Sequence, residues 1–384
     1  MQAAELATPT QDPFALPRSE ADWLAWVRLI RSRRVGPGTF HRLMREHGSA
    51  AAALAELPAI ARATGTDDYE TCPEGVAAAE LKAGRLAGAV PVAFGAPAYP
   101  DLLGEIADPP PLVWALGNLD LISKPGIGLV GARNASSLGL RMARKLAADL
   151  GRQEKTIVSG LARGIDTAAH EGALRTGTVA VMPGGVDIVY PKENAVLAQQ
   201  IQEQGLRLSE NPPGTMPQAR HFAQRNRLIS GLSRALIIVE AAAKSGSLIT
   251  ARAALDQGRD VLAVPGHPFD ARAAGCNMLI RDGATLVRSS ADILEQLETD
   301  EPKASAPRMA AAAPAEPAAG RTPAPEDDQN LHRQILGMLS PSPLTEDQLI
   351  RDLALPASAV ISAVSRLEVE GKLARRGGGK ICRP

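Results

Sequence analysis

Cationic residues recur together with glycine or hydroxyl residues in four segments of the chain, each directly after a short apolar run. The segments are 132–137 (ARNASS), 159–164 (SGLARG), 183–192 (PGGVDIVYPK) and 240–247 (EAAAKSGS). Glycine lets a ligand approach the backbone closely, and the N–H groups at the start of a helix attract anions. One such loop is common, whereas four together predict a site for an extended polyanion or a phosphorylated ligand.

A fifth segment, 211–239, contains four arginines and no acidic residue. The arginines alternate with a ring and polar side chains: Arg220, His221, Phe222, Arg225, Asn226, Arg227 and Arg234. A ring beside cations suits single-stranded nucleic acid, because bases stack on the ring while the cations bind phosphates. A helix with a solvated arginine face and a buried Phe222 accounts equally well for the pattern, so both interpretations stay open at this point.

The apolar runs that precede these segments are typical of buried strands. Seven are recognisable, at 127–131, 156–160, 178–182, 206–210, 235–240, 261–265 and 285–287, and helical segments separate them. This alternation predicts an α/β fold with a Rossmann-like, doubly wound, mostly parallel sheet. In such sheets the ligand lies beyond the carboxyl ends of the strands, where the four segments would meet.

The string Gly126 to Gly131 (GIGLVG) matches the dinucleotide motif G-x-G-x-x-G by its letters. That motif requires the glycines to follow a strand, with an acidic residue at the end of the second strand. Here the residues between the glycines are themselves the predicted strand, and the second strand ends in Ser159 and Gly160. We therefore expect no nicotinamide dinucleotide and no other cofactor.

The composition excludes several classes of protein. Lys and Arg (42) balance Asp and Glu (42), so a polybasic nucleic-acid binder is excluded, although local basic patches are not. The three cysteines and six histidines have no metal-ligand spacing, and a reduced chain without metal is expected. No run of 18 apolar residues and no signal peptide is recognisable, so we expect a cytoplasmic protein without a membrane segment.

Changes in composition divide the chain into five regions. We predict a disordered tail (1–19), a helical helix–hairpin–helix or SAM-like domain (20–90), the Rossmann-like domain (91–298), an Ala/Pro-rich linker (299–328) and a winged-helix domain (329–384). In the helical domain, the turn VGPGT (35–39) is either a phosphate-binding hairpin or a plain turn between helices. The basic, Gly-rich end of the winged helix suits either duplex DNA or a protein partner.

Longer strings resemble the DNA-processing protein A (DprA, or Smf) family over residues 95–298. They are SGLARGIDTAAHEGAL (159–174), MPGGVDIVYPKEN (182–194), SENPPGTMP (209–217), HFAQRNRLISGLS (221–233) and VEAAAKSGSLITARAALDQGRDVLAVPG (239–266). GARNASSLG (131–139) is similar to the family's Gly-Ser-Arg loop, and GCNMLIRDGA (275–284) to its closing motif. Two positions depart from the family pattern, with Ala132 for the usual Ser and Ala223 for the usual Pro.

The resemblance implies a non-catalytic protein that binds single-stranded DNA, protects incoming strands and helps to load the RecA recombinase in natural transformation. It also implies a homodimer formed through the Rossmann-like domain. The residues expected on DNA are Arg133, Lys192, Arg220, Phe222, Arg225, Asn226, Arg227, Lys244, Ser245, Gly246 and Ser247, to which we add Ser159, Gly160 and Arg163 from the second loop.

A nucleotide-hydrolysing enzyme is the alternative. Related Rossmann-like proteins that hydrolyse nucleoside monophosphates carry a Pro-Gly-Gly-x-Gly-Thr-x-x-Glu loop. Here Pro183-Gly184-Gly185 continues without the Gly-Thr pair and without the Glu, and Asp187 is a lone carboxylate. Glu240 is expected to be a structural partner of a nearby arginine. We therefore predict that the chain is not an enzyme.

Overall fold

The computed structural model describes residues 15–63, 68–123 and 125–300, and short pieces of the C-terminal part (344–345, 363–364, 367, 374–376 and 380–382). The chain divides into two compact units, residues 1–304 and 305–384. The predicted tail up to residue 14, and the predicted linker beyond residue 300, lie outside the described residues. No helix of the described part is long and apolar enough to cross a membrane.

Four helices form the N-terminal part of the first unit: α1 (Glu20–Arg31), α2 (Pro37–His47), α3 (Ala50–Ala63) and α4 (Glu74–Leu86). Ser19 starts α1 with a capping box, because its hydroxyl accepts from the backbone of Asp22 while the Asp22 carboxylate accepts from the backbone of Ser19. The buried rings of Trp26 and Phe40, with centroids 4.9 Å apart, pack α1 against α2. Local capping and this apolar core hold the helices together.

The rest of the first unit is a nine-stranded sheet. Its strands are β1 (Val90–Ala93), β2 (Leu112–Gly117), β3 (Gly126–Gly131), β4 (Ile157–Ser159), β5 (Thr178–Val181), β6 (Leu206–Ser209), β7 (Ser233–Val239), β8 (Asp260–Ala263) and β9 (Thr285–Leu286). The order is β1-β2-β6-β5-β4-β3-β7-β8-β9. The strands from β6 to β9 in this order are parallel, and β1 and β2 extend the sheet with antiparallel pairing. The predicted Rossmann-like sheet is confirmed, and its two antiparallel strands were not predicted.

Helices cover both faces of this sheet: α5 (Asp101–Gly104), α6 (Ser137–Arg152), α7 (Ile165–Ala173), α8 (Ala195–Gln204), α9 (Ala219–Gly231), α10 (Gly246–Asp256), α11 (Ala274–Arg281) and α12 (Ser290–Asp300). Alternate residues of the central strands point to opposite layers. Leu236 and Ile238 of β7 pack in one core with α9 and α10, whereas Ile237 packs in the other with α6 and α7. Burial on both faces is why the strands are apolar throughout.

The glycines of GIGLVG lie within β3, as predicted, and do not form a dinucleotide loop. They serve the packing of β3 against its neighbours. A Cβ at Gly128 would lie 2.6 Å from the side chain of Leu236, and a Cβ at Gly131 would overlap the carbonyl of Val239. The central strand pair therefore requires residues without side chains at these positions.

In the second unit, the described strands are β10 (Leu344–Thr345), β11 (Ala374–Arg376) and β12 (Lys380–Cys382). They form an antiparallel sheet in the order β10-β12-β11. In the antiparallel pair of β11 and β12, Arg376 pairs in register with Lys380. This pairing agrees with the basic wing that the sequence predicts for the C-terminal domain.

Candidate nucleic-acid interface

The sheet order brings the four polar segments to one edge of the sheet. The carboxyl ends of β5, β4, β3, β7 and β8 follow one another across the sheet, and each leads into a loop. The first four of these loops carry Lys192, Arg163, Arg133 and Lys244 in that spatial order. All four are exposed residues. We call these four loops, together with the first turn of α9, the carboxyl edge.

A cation and two rings meet at the middle of the carboxyl edge. The guanidinium of Arg133 lies over the ring of Phe222, with its Cζ 5.2 Å from the ring centroid. The ring of Tyr190 meets Phe222 edge to face, with centroids 5.5 Å apart, and remains 46% exposed. Phe222 is half-buried. The cluster offers aromatic surface beside a cation, the combination that a nucleotide needs.

Two clefts open on either side of this cluster. The α10 cleft, of about 430 Å³, is lined by Arg133, Phe222, Asn226 and the Ser245–Gly246–Ser247 turn. The Tyr190 cleft, of about 470 Å³, is lined by Gly160, Arg163, Tyr190, Lys192, Met216 and again by Arg133 and Phe222. Because Arg133, Phe222 and Ala162 line both clefts, the two clefts are neighbours on the carboxyl edge.

The N-terminus of α10 forms one wall of the α10 cleft. The Ser245 hydroxyl caps the helix by accepting from the backbone N–H of Ser247 (3.3 Å), and the two hydroxyl oxygens are 2.7 Å apart. The exposed residue Lys244 comes directly before the cap. A helix N-terminus carries partial positive charge, so this wall favours an anion.

Arg225 lies beneath the loop after β4 and is only 4% exposed. Its Nη1 donates to the carbonyl of Val181 (3.2 Å), and a Cβ at Gly160 would overlap the same nitrogen. Burial lowers the pKa of Arg225 to about 10, which the nearby carboxylate of Asp166 opposes. Asp166 accepts from the backbone N–H of Gly160 (3.1 Å) and of Ala162 (3.4 Å). The two buried charges thus support the loop from below.

A chain of hydrogen bonds holds the same loop in a strained conformation. Leu161 is buried and has a φ of 55°, which non-glycine residues rarely adopt. Its N–H donates to Nε2 of His170 (3.3 Å), while its carbonyl accepts from Asn194 (2.9 Å). Since Nε2 accepts, Nδ1 carries the proton and donates to Thr178 (2.7 Å), whose hydroxyl donates to Ile157 (2.9 Å). Burial lowers the pKa of His170 to about 3, so the ring is neutral.

Neither cleft is lined by Ser159, Arg220, Arg227 or Lys244, and Arg225 lines the α10 cleft only from a buried position. Ser159 is fully buried, and its hydroxyl donates to the carbonyl of Leu129 (2.6 Å). Arg225 is the buried support just described. Arg227 pairs with Asp108 (3.1 Å) and Glu210 (2.5 Å), away from both clefts. The exposed residue Arg220 lies on the first turn of α9.

Sequence reasoning missed three residues of this region. Tyr190 lies in one of the four polar segments, but only its contact with Phe222 marks its ring as part of the aromatic cluster. Asp166 and His170, four residues apart on α7, are buried polar residues whose partners lie in other elements. Their spacing places both on one face of the helix, which was the available signal.

The two carboxylates that an enzyme would use are held in structural contacts. Asp187 accepts from the backbone N–H of Gly214 with both oxygens, at 2.8 and 3.0 Å. Glu240 accepts from the backbone N–H of Ser136 (2.8 Å) and from the Ser136 hydroxyl, at the start of α6. Glu240 is therefore structural, as expected, but its hydrogen-bond partner is Ser136 rather than an arginine.

Comparison with known proteins agrees with this architecture. Residues 91–298 match the model of the family described as DNA recombination-mediator protein A, and residues 20–83 and 311–379 match a DprA-like N-terminal HHH domain and a DprA winged helix domain. The DNA processing protein DprA of Streptococcus pneumoniae is 47% identical over 202 residues, which are 52% of this chain and 71% of that protein. Protein Smf of Synechocystis is 37% identical over 311 residues, 73% of this chain and 77% of the relative.

Two solved structures are similar to more than half of this chain. DprA of Streptococcus pneumoniae has a TM-score of 0.55 at 41% identity, covering 58% of this chain and 78% of that chain. DprA of Helicobacter pylori, described with a unique single-stranded DNA binding mode, has a TM-score of 0.51 at 29% identity, covering 55% of this chain and 96% of that chain. Since the first family model spans more than half of the sequence, the chain belongs to the DNA recombination-mediator protein A family, whose relatives are named DprA and Smf.

Proposed function

We propose that this protein binds single-stranded DNA along the carboxyl edge and performs no catalysis there. The observation that carries the proposal is the stacking of Arg133 on Phe222 at the junction of the two clefts. At that junction a phosphate can contact the guanidinium while a base contacts the ring. The single-stranded DNA binding mode described for DprA of Helicobacter pylori supports the same ligand.

The rings account for a preference for single strands over duplex. In a duplex the faces of the bases are stacked on one another, so they cannot also stack on Phe222 or Tyr190. In a single strand each base can turn outward, and stacking on a protein ring contributes about 1–3 kcal/mol per base. Because every base has such a face, we expect little sequence selectivity.

The exposed cations account for binding of the phosphate backbone of the DNA strand. The protein has no net charge, so attraction must be local. Arg133, Arg163, Lys192, Arg220 and Lys244 are exposed on the carboxyl edge. Together with the N-terminus of α10, they form a positive path beside the rings. Steep loss of affinity in salt follows from this arrangement.

The absence of catalysis is part of the proposal. Asp187 and Glu240, the two carboxylates weighed in the sequence analysis, accept backbone hydrogen bonds. The alternative, hydrolysis of a nucleoside monophosphate, is tested by incubating the protein with AMP and measuring ribose 5-phosphate. We expect no ribose 5-phosphate. Its release in large molar excess over the protein would favour the enzyme.

In the cell, we propose that the protein protects incoming single strands in the cytoplasm and helps to load the RecA recombinase. We further propose a homodimer through the Rossmann-like domain. The candidate surface is α11 with the adjoining end of the sheet, where Met278 and Leu286 are 39% and 41% exposed. β9 is the last strand of the sheet, and an unpaired strand edge is a ready place for a second copy.

The central test is a titration with fluorescent oligothymidylate and with a duplex of equal length, at about 50 mM and about 200 mM salt. We expect tight binding of the single strand, weak binding of the duplex and a large loss at the higher salt concentration. Equal affinity for both forms, independent of salt, would remove the basis of the proposal.

A further inference from the structure

The most exposed aromatic side chains share one edge of the molecule. Among the Phe, Trp and Tyr residues that the structure describes, Tyr190 and Phe269 are the two most exposed, at 46% and 93%. Tyr190 lines a cleft of the carboxyl edge together with Arg133 and Phe222. Phe269 lies in the loop after β8, outside both clefts. Only 3% of the residues of this chain are aromatic, so two exposed rings on the same edge suggest that both serve the same ligand.

The sheet order places the loop of Phe269 next to the loop of Lys244. β8 pairs with β7 up to Ala263, and the chain then crosses to the β7 loop, where the N–H of Gly275 donates to the carbonyl of Ala241 (2.7 Å). Neighbouring strands are about 4.8 Å apart, so the end of β8 lies about 10 Å beyond the end of β3. The loop with Phe269 therefore extends the row of carboxyl-edge loops past Lys244.

Hydrogen bonds hold this loop in place. The side-chain amide of Asn277 donates to the carbonyl of Gly266 (3.0 Å) and accepts from its N–H (3.2 Å). Within the loop, the N–H of Asp270 donates to the carbonyl of His267 (2.9 Å). The rings of His267 and Phe269 lie 5.6 Å apart. A ring presented by an ordered turn loses little conformational freedom when a ligand stacks on it.

We infer that Phe269, with His267 beside it, is a second base-stacking platform for the same DNA strand, one that the strand reaches after its backbone passes Lys244. The inference rests on the proposed function and deepens it. A base suits this position better than an apolar protein surface, because His267, Asp270 and Arg272 make the surroundings of Phe269 polar. Asp270 and Arg272 pair with each other (3.0 Å), so the platform carries no net charge that would repel a strand.

The test compares oligothymidylates of increasing length, from about 4 to about 16 nucleotides, the range that single-strand-binding modules cover. Phe269→Ala is expected to weaken binding of the long oligonucleotides about fivefold or more and to leave the shortest ones unchanged. Leu255→Ala is the matched control, since Leu255 is 58% exposed at the opposite end of α10. Phe269→Trp should restore long-strand affinity.

Tryptophan also reports stacking directly. The fluorescence of Phe269→Trp should be quenched by long oligonucleotides but not by short ones, and that of Leu255→Trp by neither. Unchanged affinity of Phe269→Ala at every length, without quenching of Phe269→Trp, would overturn the inference. So would a Phe269→Ala protein whose self-association changes while its affinity per protomer does not, because the ring would then serve an interface between copies.

The proposed function can fail separately. If the unmodified protein does not bind single strands, the proposed function and the second stacking platform are both wrong. If Phe222→Ala weakens binding at all lengths while Phe269→Ala has no effect, the carboxyl edge binds DNA and only the second platform is wrong.

Discussion

The Nη1 atom of Arg225 lies where a side chain at Gly160 would begin, so the buried guanidinium and the glycine occupy complementary space. Gly160→Ala would force the guanidinium away from the carbonyl of Val181 and disturb the loop that walls the Tyr190 cleft. We expect a loss of roughly 1–3 kcal/mol in the free energy of unfolding, together with weaker binding of single strands. Urea denaturation and fluorescence anisotropy measure the two effects.

Gly246→Ala is the control for this change. Gly246 also lies on the carboxyl edge, but a Cβ there would meet nothing within 4 Å. The free energy of unfolding of Gly246→Ala should therefore be unchanged or slightly raised, because alanine favours the first turn of α10. Equal destabilisation by both variants would mean that Arg225 does not determine the requirement for glycine at position 160.

Charge reversal should separate the carboxyl edge from the rest of the surface. Arg133→Glu removes a cation and its stacking on Phe222, so we expect at least a tenfold loss of single-strand affinity. Lys244→Glu should also weaken binding strongly. Arg144→Glu, on the exposed face of α6 where Arg144 pairs with Glu171, should cost less. Equal losses at all three positions in anisotropy titrations would speak against a localised surface.

The salt dependence of binding counts the phosphates that are contacted. Each phosphate neutralised by a cation contributes roughly −0.7 to the slope of log affinity against log salt for a single strand. If each of the five exposed cations of the carboxyl edge contacts one phosphate, the slope is about −3.5. Lys192→Ala should make it shallower by roughly 0.7. A slope that Lys192→Ala leaves unaltered would place Lys192 outside the DNA path.

Burial of neutral His170 makes stability depend on pH. The pKa of His170 is about 3 in the folded protein against an ordinary value of 6.5, so between these values the unfolded chain binds one proton more. The stability associated with the neutral ring is fully present above pH 6.5. It falls by about 1.4 kcal/mol per pH unit as the pH drops toward 3.

His170→Gln tests this dependence, because a glutamine oxygen can still accept from Leu161. Urea denaturation between neutral pH and about pH 5 should give a steeper fall in the free energy of unfolding for the unmodified protein than for His170→Gln. His267→Gln, at an exposed position, is the control and should retain the original slope. Identical slopes for all three proteins would mean that His170 is not kept neutral by burial.

Local sequence patterns predicted most strands of the sheet. Apolar runs such as those of β3 and β7 predicted strands covered on both faces, and both strands are present within two residues of their expected bounds. β1 and β2 escaped prediction: β1 is a short, partly exposed strand at the end of the sheet that contains Pro91, and β2 has no local feature that separates it from a buried helix segment.

The sequence by itself determined the parallel sheet, the carboxyl edge at which the polar loops meet, and the family, because strand periodicity and loop motifs are local properties. Only the tertiary structure decided the role of each cation. Arg133 is exposed over Phe222, Arg225 is buried under Gly160, and Arg227 pairs with Asp108. The three arginines are chemically identical in the sequence. Their roles depend on burial and on partners distant along the chain, which only packing brings together.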